Sequence, residues 1–246
     1  MRNKELKIGI IGIPIQLEKK QKRLSEFFKP GLTDFLRAKT KKFIQTKIKG
    51  ENILIKILDL GELFDKKYKL ASDGELVGIS KSCLDKLVEE LKRKMEGIDF
   101  LIVYGGAHTG GYLLYNLPGK IERFDLHEDD DNINIPFHTS YMNYVSTIKD
   151  HSDLSNHNLP GLLDEIFDRS SVDANVGRIF DIDIDYYNST EYCKLKKEDE
   201  ERNFNRIISA IKKAKPKVIG LFEFQRLNKN EYEKMLEIVW QGIKAN

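Results

Sequence analysis

The chain has 246 residues but only two cysteines, Cys83 and Cys193. Two cysteines so far apart cannot supply the several disulfides that stabilise small secreted domains. They also exclude a zinc site built from Cys-x-x-Cys pairs, because the two cysteines are far apart in the sequence and form no such pair. We therefore expect reduced thiols and a cytoplasmic location.

The sequence also lacks long hydrophobic runs. No stretch approaches the roughly twenty apolar residues that a membrane-spanning helix requires. The first segment, MRNKELKIGIIGIPI, starts with basic residues, but its apolar run is short and is interrupted by glycine and proline. No small-residue cleavage site follows it, so the segment is typical of a first β-strand and not of a signal peptide.

An excess of charge of one sign is missing as well. The chain has 41 Lys and Arg against 39 Asp and Glu, which gives a net charge of +2. The basic residues are interspersed with acids, so they indicate solvated helix faces and not a surface for nucleic acid or an anionic membrane. Apolar residues make up 40% of the chain, which is enough for a sizeable core.

What the chain does have is a regular alternation of strand-like and helix-like segments. The strand-like segments, rich in β-branched residues, lie at 7–15, 52–63, 99–106, 119–126, 176–185 and 217–224. The helix-like segments lie at 17–29, 32–44, 82–97, 200–215 and 230–244. This order predicts a three-layer α/β/α fold with a mostly parallel central sheet. We expect one domain over 1–246, with a polar excursion at 145–175.

Two segments carry sharper expectations. In the helix at 82–97, Ser82 is a favoured N-terminal cap, Asp85 follows it at capping-box spacing, and Gly97 is a favoured stop. The strand at 52–63 is predicted to be buried, like the strand at 7–15.

Acids and histidines follow four of the predicted strands at the point where each strand ends. His108 follows the strand at 99–106, and Glu223 lies at the end of the last strand. The other two strand ends carry Asp125, His127 and Asp129, and then Asp181, Asp183 and Asp185. Ligands of parallel sheets bind at the carboxyl ends of the strands. Oxygen and imidazole donors suit Mn²⁺, Mg²⁺ or Zn²⁺, and their number favours a centre of two ions.

Each group also has an ordinary structural explanation. His108 alone is compatible with a hydrogen-bonded loop histidine, DLHED with a solvated loop, and Glu223 with a helix cap. The run DIDID is harder to explain, because alternate residues of a strand point the same way and lie about 6.5–7 Å apart. Three carboxylates on one face need a cation or strong donors nearby. The joint occurrence at four strand ends favours the metal site.

These motifs resemble those of the ureohydrolases, the family of arginases, agmatinases and formiminoglutamases, whose fold is related to that of the histone deacetylases. The family motifs GGDHS, DAHxD and SxDxDxxDP appear here as GGAHT (105–109), DLHED (125–129) and DIDIDYYNS (181–189). A late acidic residue in a GLxxxE-type strand appears in GLFEF (220–224). Upstream, KPGLTDFLRAK and ILDLGEL are similar to further family segments, so the resemblance covers most of the chain in order.

The resemblance implies an arginase-like domain with two divalent metal ions, most often Mn²⁺. Its six ligands would be His108, Asp125, His127, Asp129, Asp183 and Asp185, with Asp125 and Asp183 bridging the ions. The DIDID run aligns in two ways. The preferred alignment uses Asp183 and Asp185 and places Asn188-Ser189 at the family's Asp-Pro; the other uses Asp181 and Asp183.

The sequence departs from the family pattern at several places. Ala107 replaces the Asp beside the metal-binding histidine, and Asn188-Ser189 replaces Asp-Pro. The loop after Asp129, which in the family contacts the far end of the substrate, is shorter than usual. His138 corresponds to the family's proton-shuttling histidine at a different spacing, and the alternative is an ordinary loop residue after Pro136.

The function implied by the resemblance is hydrolysis of a guanidino or amidino C–N bond in a small cationic substrate, by attack of a metal-bridging hydroxide. Asp129 would relay a proton to the departing amine, Glu223 would pair with the cationic group, and His138 would exchange protons with solvent. One alternative is a metal-dependent amide deacetylase, although the paired His-His of that chemistry is absent. The other is a metal-binding protein without hydrolase activity. The family resemblance also makes a homo-oligomer possible.

Overall fold

The structure is a computed structural model. It describes residues 5–13, 32–51, 54–63, 81–105, 113–114, 117, 120–124, 178–189, 195–222 and 229–246. The predicted helix at 17–29 and the polar excursion at 145–175 lie outside these residues.

The described strands form one sheet in which every pair of neighbours is parallel. In chain order the strands are β1 (Leu6–Ile13), β2 (Ile55–Glu62), β3 (Phe100–Gly105), β4 (Lys120–Phe124), β5 (Arg178–Asp183) and β6 (Val218–Phe222). Their order across the sheet is β2-β1-β3-β6-β5-β4. The predicted parallel sheet is confirmed.

Three of the four described helices connect these strands, the fourth follows β6, and their ends follow from local sequence. The helices are α1 (Leu32–Lys47), α2 (Lys81–Met95), α3 (Lys197–Ala214) and α4 (Lys229–Ala245). The predicted stop of α2 is confirmed, because Gly97 has φ +71°, a conformation that favours glycine. Ser82 was wrongly predicted as its cap, because the helix already begins at Lys81. Helix α3 ends where Lys215 adopts a left-handed conformation directly before Pro216.

The sheet is covered on both faces, which gives three layers. On one face, Phe100, Ile102 and Tyr104 of β3 pack in a core that includes residues of α1, α3 and α4. On the other face, Leu101 and Val103 pack in a second core with residues of α2. The alternation of neighbouring residues between two cores is the period of two that a strand buried on both faces requires.

Strand β2 is an edge strand of the described sheet, so the prediction that it is buried was wrong. Most of its residues are partly exposed because it pairs on one side only, with β1. Its carboxyl end is tied to α1 by Arg37, whose side chain is buried. Arg37 Nε donates to Asp59 Oδ1 at 2.9 Å, and its Nη1 lies 3.5 Å from Glu62 Oε1.

Within the described part of the chain, every helix is too short or too polar to span a lipid bilayer.

Candidate functional site

The sheet order brings four motif-bearing strands next to one another. Strands β3, β6, β5 and β4 are adjacent in that order and all run in the same direction. Neighbouring strands lie about 4.8 Å apart, so the carboxyl ends of these four strands fall within roughly 15 Å. In the sequence, each of the four predicted motif segments overlaps or directly follows one of these strand ends.

The pairing register aligns three of these ends closely. Phe222, the last residue of β6, pairs with Asp183, the last residue of β5. Phe124, the last residue of β4, pairs with Ile182. In the sequence, Glu223 directly follows Phe222 and Asp125 directly follows Phe124.

Asp181 and Asp183 lie inside the protein. Their exposed fractions are 0% and 2%. They alternate with Phe180 and Ile182, which belong to the core shared with α1, α3 and α4, so the two acids lie on the opposite face of the sheet. Strand β5 ends at Asp183, two residues before the end of the predicted strand at 176–185, and Asp181 lies within the strand and not after it.

Asp185 follows in a short 3-10 helix, Ile184–Tyr186. Its backbone is described, but its side chain lies outside the described part of the structure. The remaining predicted site residues also lie outside the described residues, namely His108, Asp125, His127, Asp129, His138 and Glu223. Among the side chains that the structure describes, no group of three or more His, Cys, Asp or Glu could hold a metal ion.

Glycine is required where β3 and β6 meet the site edge. A Cβ atom on Gly105 would lie 2.0 Å from the Phe222 ring. A Cβ atom on Gly220, which pairs with Asp181, would lie 2.5 Å from Leu114 and 2.6 Å from the Phe222 ring. Phe222 thus fills the space over both glycines directly beneath the carboxyl ends of the strands.

The turn after β5 is fixed by hydrogen bonds from its own backbone and from α3. The amide of Asn188 donates to the carbonyl of Ile184 at 3.1 Å. Asn203 Nδ2 in α3 donates to the carbonyl of Tyr186 at 2.8 Å. The hydroxyl of Ser189 donates to the carbonyl of Leu195 and accepts from its amide, both at 2.9 Å.

Two charged residues that sequence reasoning missed also hold this turn. Lys234 Nζ in α4 donates to the carbonyl of Tyr187 at 3.1 Å and to Asn188 Oδ1 at 3.2 Å. Glu200 Oε1 in α3 accepts the Ser189 amide at 2.7 Å, and its Oε2 lies 3.5 Å from Lys234 Nζ. No local pattern marks either residue, since each lies on an amphipathic helix with many other charges.

Two buried tyrosines lie near this edge of the sheet. Burial raises the pKa of Tyr187 well above its usual value, and the nearby charge of Asp183 raises it further. Burial likewise raises the pKa of Tyr104, whose hydroxyl forms a 2.6 Å hydrogen bond with Thr40 Oγ1. Both side chains are therefore neutral at physiological pH.

The donors described at this edge fit a divalent metal ion. Asp183 presents a buried carboxylate at the end of a central strand, and Asp181 lies on the same strand face. Buried carboxylates are stable when strong donors or a cation neutralise them. Carboxylate oxygen is the ligand type that Mn²⁺ and Mg²⁺ prefer.

Comparison with solved structures gives matches along nearly the whole chain. The arginase of Bacillus subtilis superposes with a TM-score of 0.59 at 13% identity, covering 96% of this chain and 98% of that one. Proclavaminate amidino hydrolase from Streptomyces clavuligerus gives 0.56 at 12% identity, covering 98% and 93%. The arginase of Entamoeba histolytica, solved in complex with L-ornithine, gives 0.54 at 14% identity, covering 99% of both chains.

The chain therefore has the three-layer fold of the arginases and related amidino hydrolases. The resemblance inferred from the sequence motifs is confirmed at the level of the fold. No protein-family model and no curated protein sequence matches the chain.

Proposed function

We propose that the chain is a metal-dependent hydrolase that cleaves a guanidino or amidino C–N bond. The observation that carries this proposal is the adjacency of β3, β6, β5 and β4, whose carboxyl ends lead into the four motif segments. The motifs are dispersed over more than a hundred residues of sequence, and the sheet order gives them a common origin in space. The shared fold with arginases supports the same conclusion.

The proposed ligands are the six residues of the preferred alignment: His108, Asp125, His127, Asp129, Asp183 and Asp185. The burial of Asp183 at the strand end supports its role, and Asp183 is a ligand in both alignments. The position of Asp185 in the next turn, and of Asp181 deeper in the strand, favours the pair Asp183 and Asp185. These residues would hold two divalent ions, which we propose are Mn²⁺, and such ions would supply hydroxide near neutral pH by lowering the pKa of water.

The chain's own residues orient the substrate and move protons. Glu223 follows the last residue of β6, and we assign its carboxylate to the planar cation of the substrate, as a bidentate partner. Asp129 accepts a proton and passes it to the departing amine, and His138 exchanges protons with solvent. The products are an amine and urea or a related amide.

The substrate class is a small linear guanidine or amidine. Among the structural neighbours are an agmatine ureohydrolase of Thermoplasma volcanium and an arginase solved in complex with L-ornithine. The segment after Asp129 departs from the family pattern. The length and charge of the substrate at the end away from the guanidine or amidine are therefore to be determined by experiment.

The test combines metal content with a screen for products. The chain is loaded with Mn²⁺, its bound metal is measured by elemental analysis, and urea release is assayed with arginine, agmatine and guanidinobutyrate. Ammonia and amide release from N-formimidoyl acids is assayed in parallel. About two ions per chain and turnover of one of these compounds is the expected result; absence of bound metal would contradict the proposal.

A metal-binding protein without hydrolase activity is the second candidate. Ala107 and Asn188 favour it, because each replaces an acid of the family pattern close to the proposed ligands. Two bound ions without turnover of any guanidine, amidine or acetylated amine would support this candidate and exclude the hydrolase. Turnover of acetylated amines alone would indicate the deacetylase chemistry of the related fold.

A further inference from the structure

The ammonium group of Lys234 connects α4 to the turn that follows β5. Its Nζ atom contacts the carbonyl oxygen of Tyr187 at 3.1 Å, Asn188 Oδ1 at 3.2 Å and Glu200 Oε2 at 3.5 Å. The side chain is 14% exposed, so these contacts are made largely out of solvent. An ammonium group has three donors, and three acceptors surround this one.

The contacts of Lys234 lie close in sequence to two of the proposed metal ligands, Asp183 and Asp185. The turn begins directly after Asp183, and Tyr187 and Asn188 follow Asp185 by two and three residues. A shift of the turn therefore moves the backbone of Asp185 relative to Asp183. The Tyr187 carbonyl is a backbone group, so Lys234 fixes the path of the main chain and not only a side chain.

Glu200 completes the connection from the other helix. Its carboxylate accepts a hydrogen bond from the Ser189 amide at 2.7 Å and lies beside the Lys234 ammonium. Side chains of both α3 and α4 therefore contact the same turn. The Lys234 ammonium also lies 5.9 Å from the centre of the Phe204 ring in α3. Such a cation–π contact adds to the attraction that keeps the ammonium group in place.

We propose that Lys234 is a positioning residue for the metal site, acting through the turn that carries Asp185. This inference rests on the proposed function, because it assumes that Asp183 and Asp185 bind metal. Groups that orient metal ligands without touching the metal typically change metal affinity 10–100-fold when removed. We expect Lys234 to belong to this class.

The experiment measures Mn²⁺ binding to the whole chain, with Mn²⁺ alone as the probe and free Mn²⁺ followed by its electron paramagnetic resonance signal. Lys234→Met keeps the length of the apolar part of the side chain and removes the ammonium group with its charge and donors. It should raise the dissociation constant of the weaker ion about tenfold or more. Lys234→Arg, which keeps a cation and donors, should restore most of the affinity.

The matched control is Lys244→Met. Lys244 is exposed on the same helix and lies 6.0 Å from the centre of the Trp240 ring, and no contact of it with the turn is described. This control should bind Mn²⁺ like the unmodified chain. Circular dichroism and thermal unfolding of the metal-free variants establish that binding is compared between folded proteins.

Two results would separate the failure of this inference from the failure of the proposed function. Unchanged Mn²⁺ affinity in a folded Lys234→Met variant would overturn the role of Lys234 alone, whereas absence of Mn²⁺ binding by the unmodified chain would overturn both. If Lys234→Met does not fold, Asn188→Ala removes one acceptor and keeps the ammonium group. That variant should weaken Mn²⁺ binding severalfold, and an unchanged affinity would again overturn the inference.

Discussion

At the scale of single residues, the candidate site depends on Asp183 more than on any other described side chain. It is the last residue of β5, it is 2% exposed, and both alignments of the DIDID run make it a metal ligand. Replacement of this carboxylate would leave the neighbouring carboxylates in place. The set of candidate ligands would lose one member and one negative charge. Asp183 is therefore the position at which the metal hypothesis is tested most directly.

Asp183→Asn should remove at least one of the two ions, because the amide keeps the volume of the side chain and loses its charge. Asp181→Asn and Asp185→Asn are the comparisons that decide between the alignments. In the preferred alignment Asp185→Asn loses an ion and Asp181→Asn retains both; in the other alignment these outcomes are exchanged. Elemental analysis after Mn²⁺ loading and desalting gives the counts, and two ions in Asp183→Asn would remove this residue from the site.

At the scale of elements, β3 and β6 pack closely because Gly105 in β3 has no side chain. The Phe222 ring occupies the space that a Cβ atom on Gly105 would need, and the two residues lie at the carboxyl ends of neighbouring strands. This packing lies between two predicted motifs, since Gly105 starts GGAHT and Phe222 precedes Glu223. Its disturbance should therefore affect stability and metal binding together.

Gly105→Ala should reduce the free energy of unfolding by about 1–3 kcal/mol, the usual cost of overpacking a core. The measurement is urea unfolding of the metal-free chain. In a Phe222→Leu background the same substitution should cost clearly less, because the smaller side chain leaves room for the methyl group. An equal cost in both backgrounds would show that the Phe222 ring is not what excludes a side chain at Gly105.

The elements also show which features were accessible from sequence. Strands β1, β3, β5 and β6 follow from short β-branched runs, and α3 and α4 from helical spacing, because these signals are local. The edge position of β2 was missed because the place of a strand in the sheet depends on partners far away in the chain. The capping role assigned to Ser82 failed by two residues, which is within the usual uncertainty of helix ends.

The same distinction holds for the candidate site. Asp183 was identified because alternating acids at a strand end are unusual in any context. Lys234 was not identified, because its contact with Tyr187 joins residues 47 positions apart and depends on how α4 packs. The buried tyrosines Tyr104 and Tyr187 were likewise not singled out, since an aromatic residue in a core is the ordinary case.

At the scale of the whole molecule, the order of strands was the information that sequence alone did not supply. After β3 the chain forms β4 at the far edge of the described sheet. Strand β5 then lies beside β4, and β6 lies between β5 and β3. This order places the last motif next to the first. A metal centre built from these motifs would need β3, β4, β5 and β6 together, because each of these strands leads into one motif.

The two buried tyrosines predict how the stability of the whole fold responds to alkaline pH. Burial raises the pKa of both Tyr104 and Tyr187 above the unfolded value of about 10. Their contribution to stability is therefore complete below about pH 10. It is lost as the pH rises from there toward the folded pKa, because the unfolded chain releases protons that the folded chain keeps.

Between about pH 10 and pH 11, each tyrosine should lower the free energy of unfolding by up to about 1.4 kcal/mol. Urea unfolding at several pH values measures this slope, and Tyr104→Phe and Tyr187→Phe should each make it less steep. Tyr104→Phe also removes the hydrogen bond to Thr40, but that loss shifts the curve by a constant amount and leaves its slope unaffected. Lysines that titrate in the same range are common to all variants, so the difference in slope isolates the tyrosines. Slopes identical to that of the unmodified chain would mean that both hydroxyls ionise in the folded protein as readily as in water.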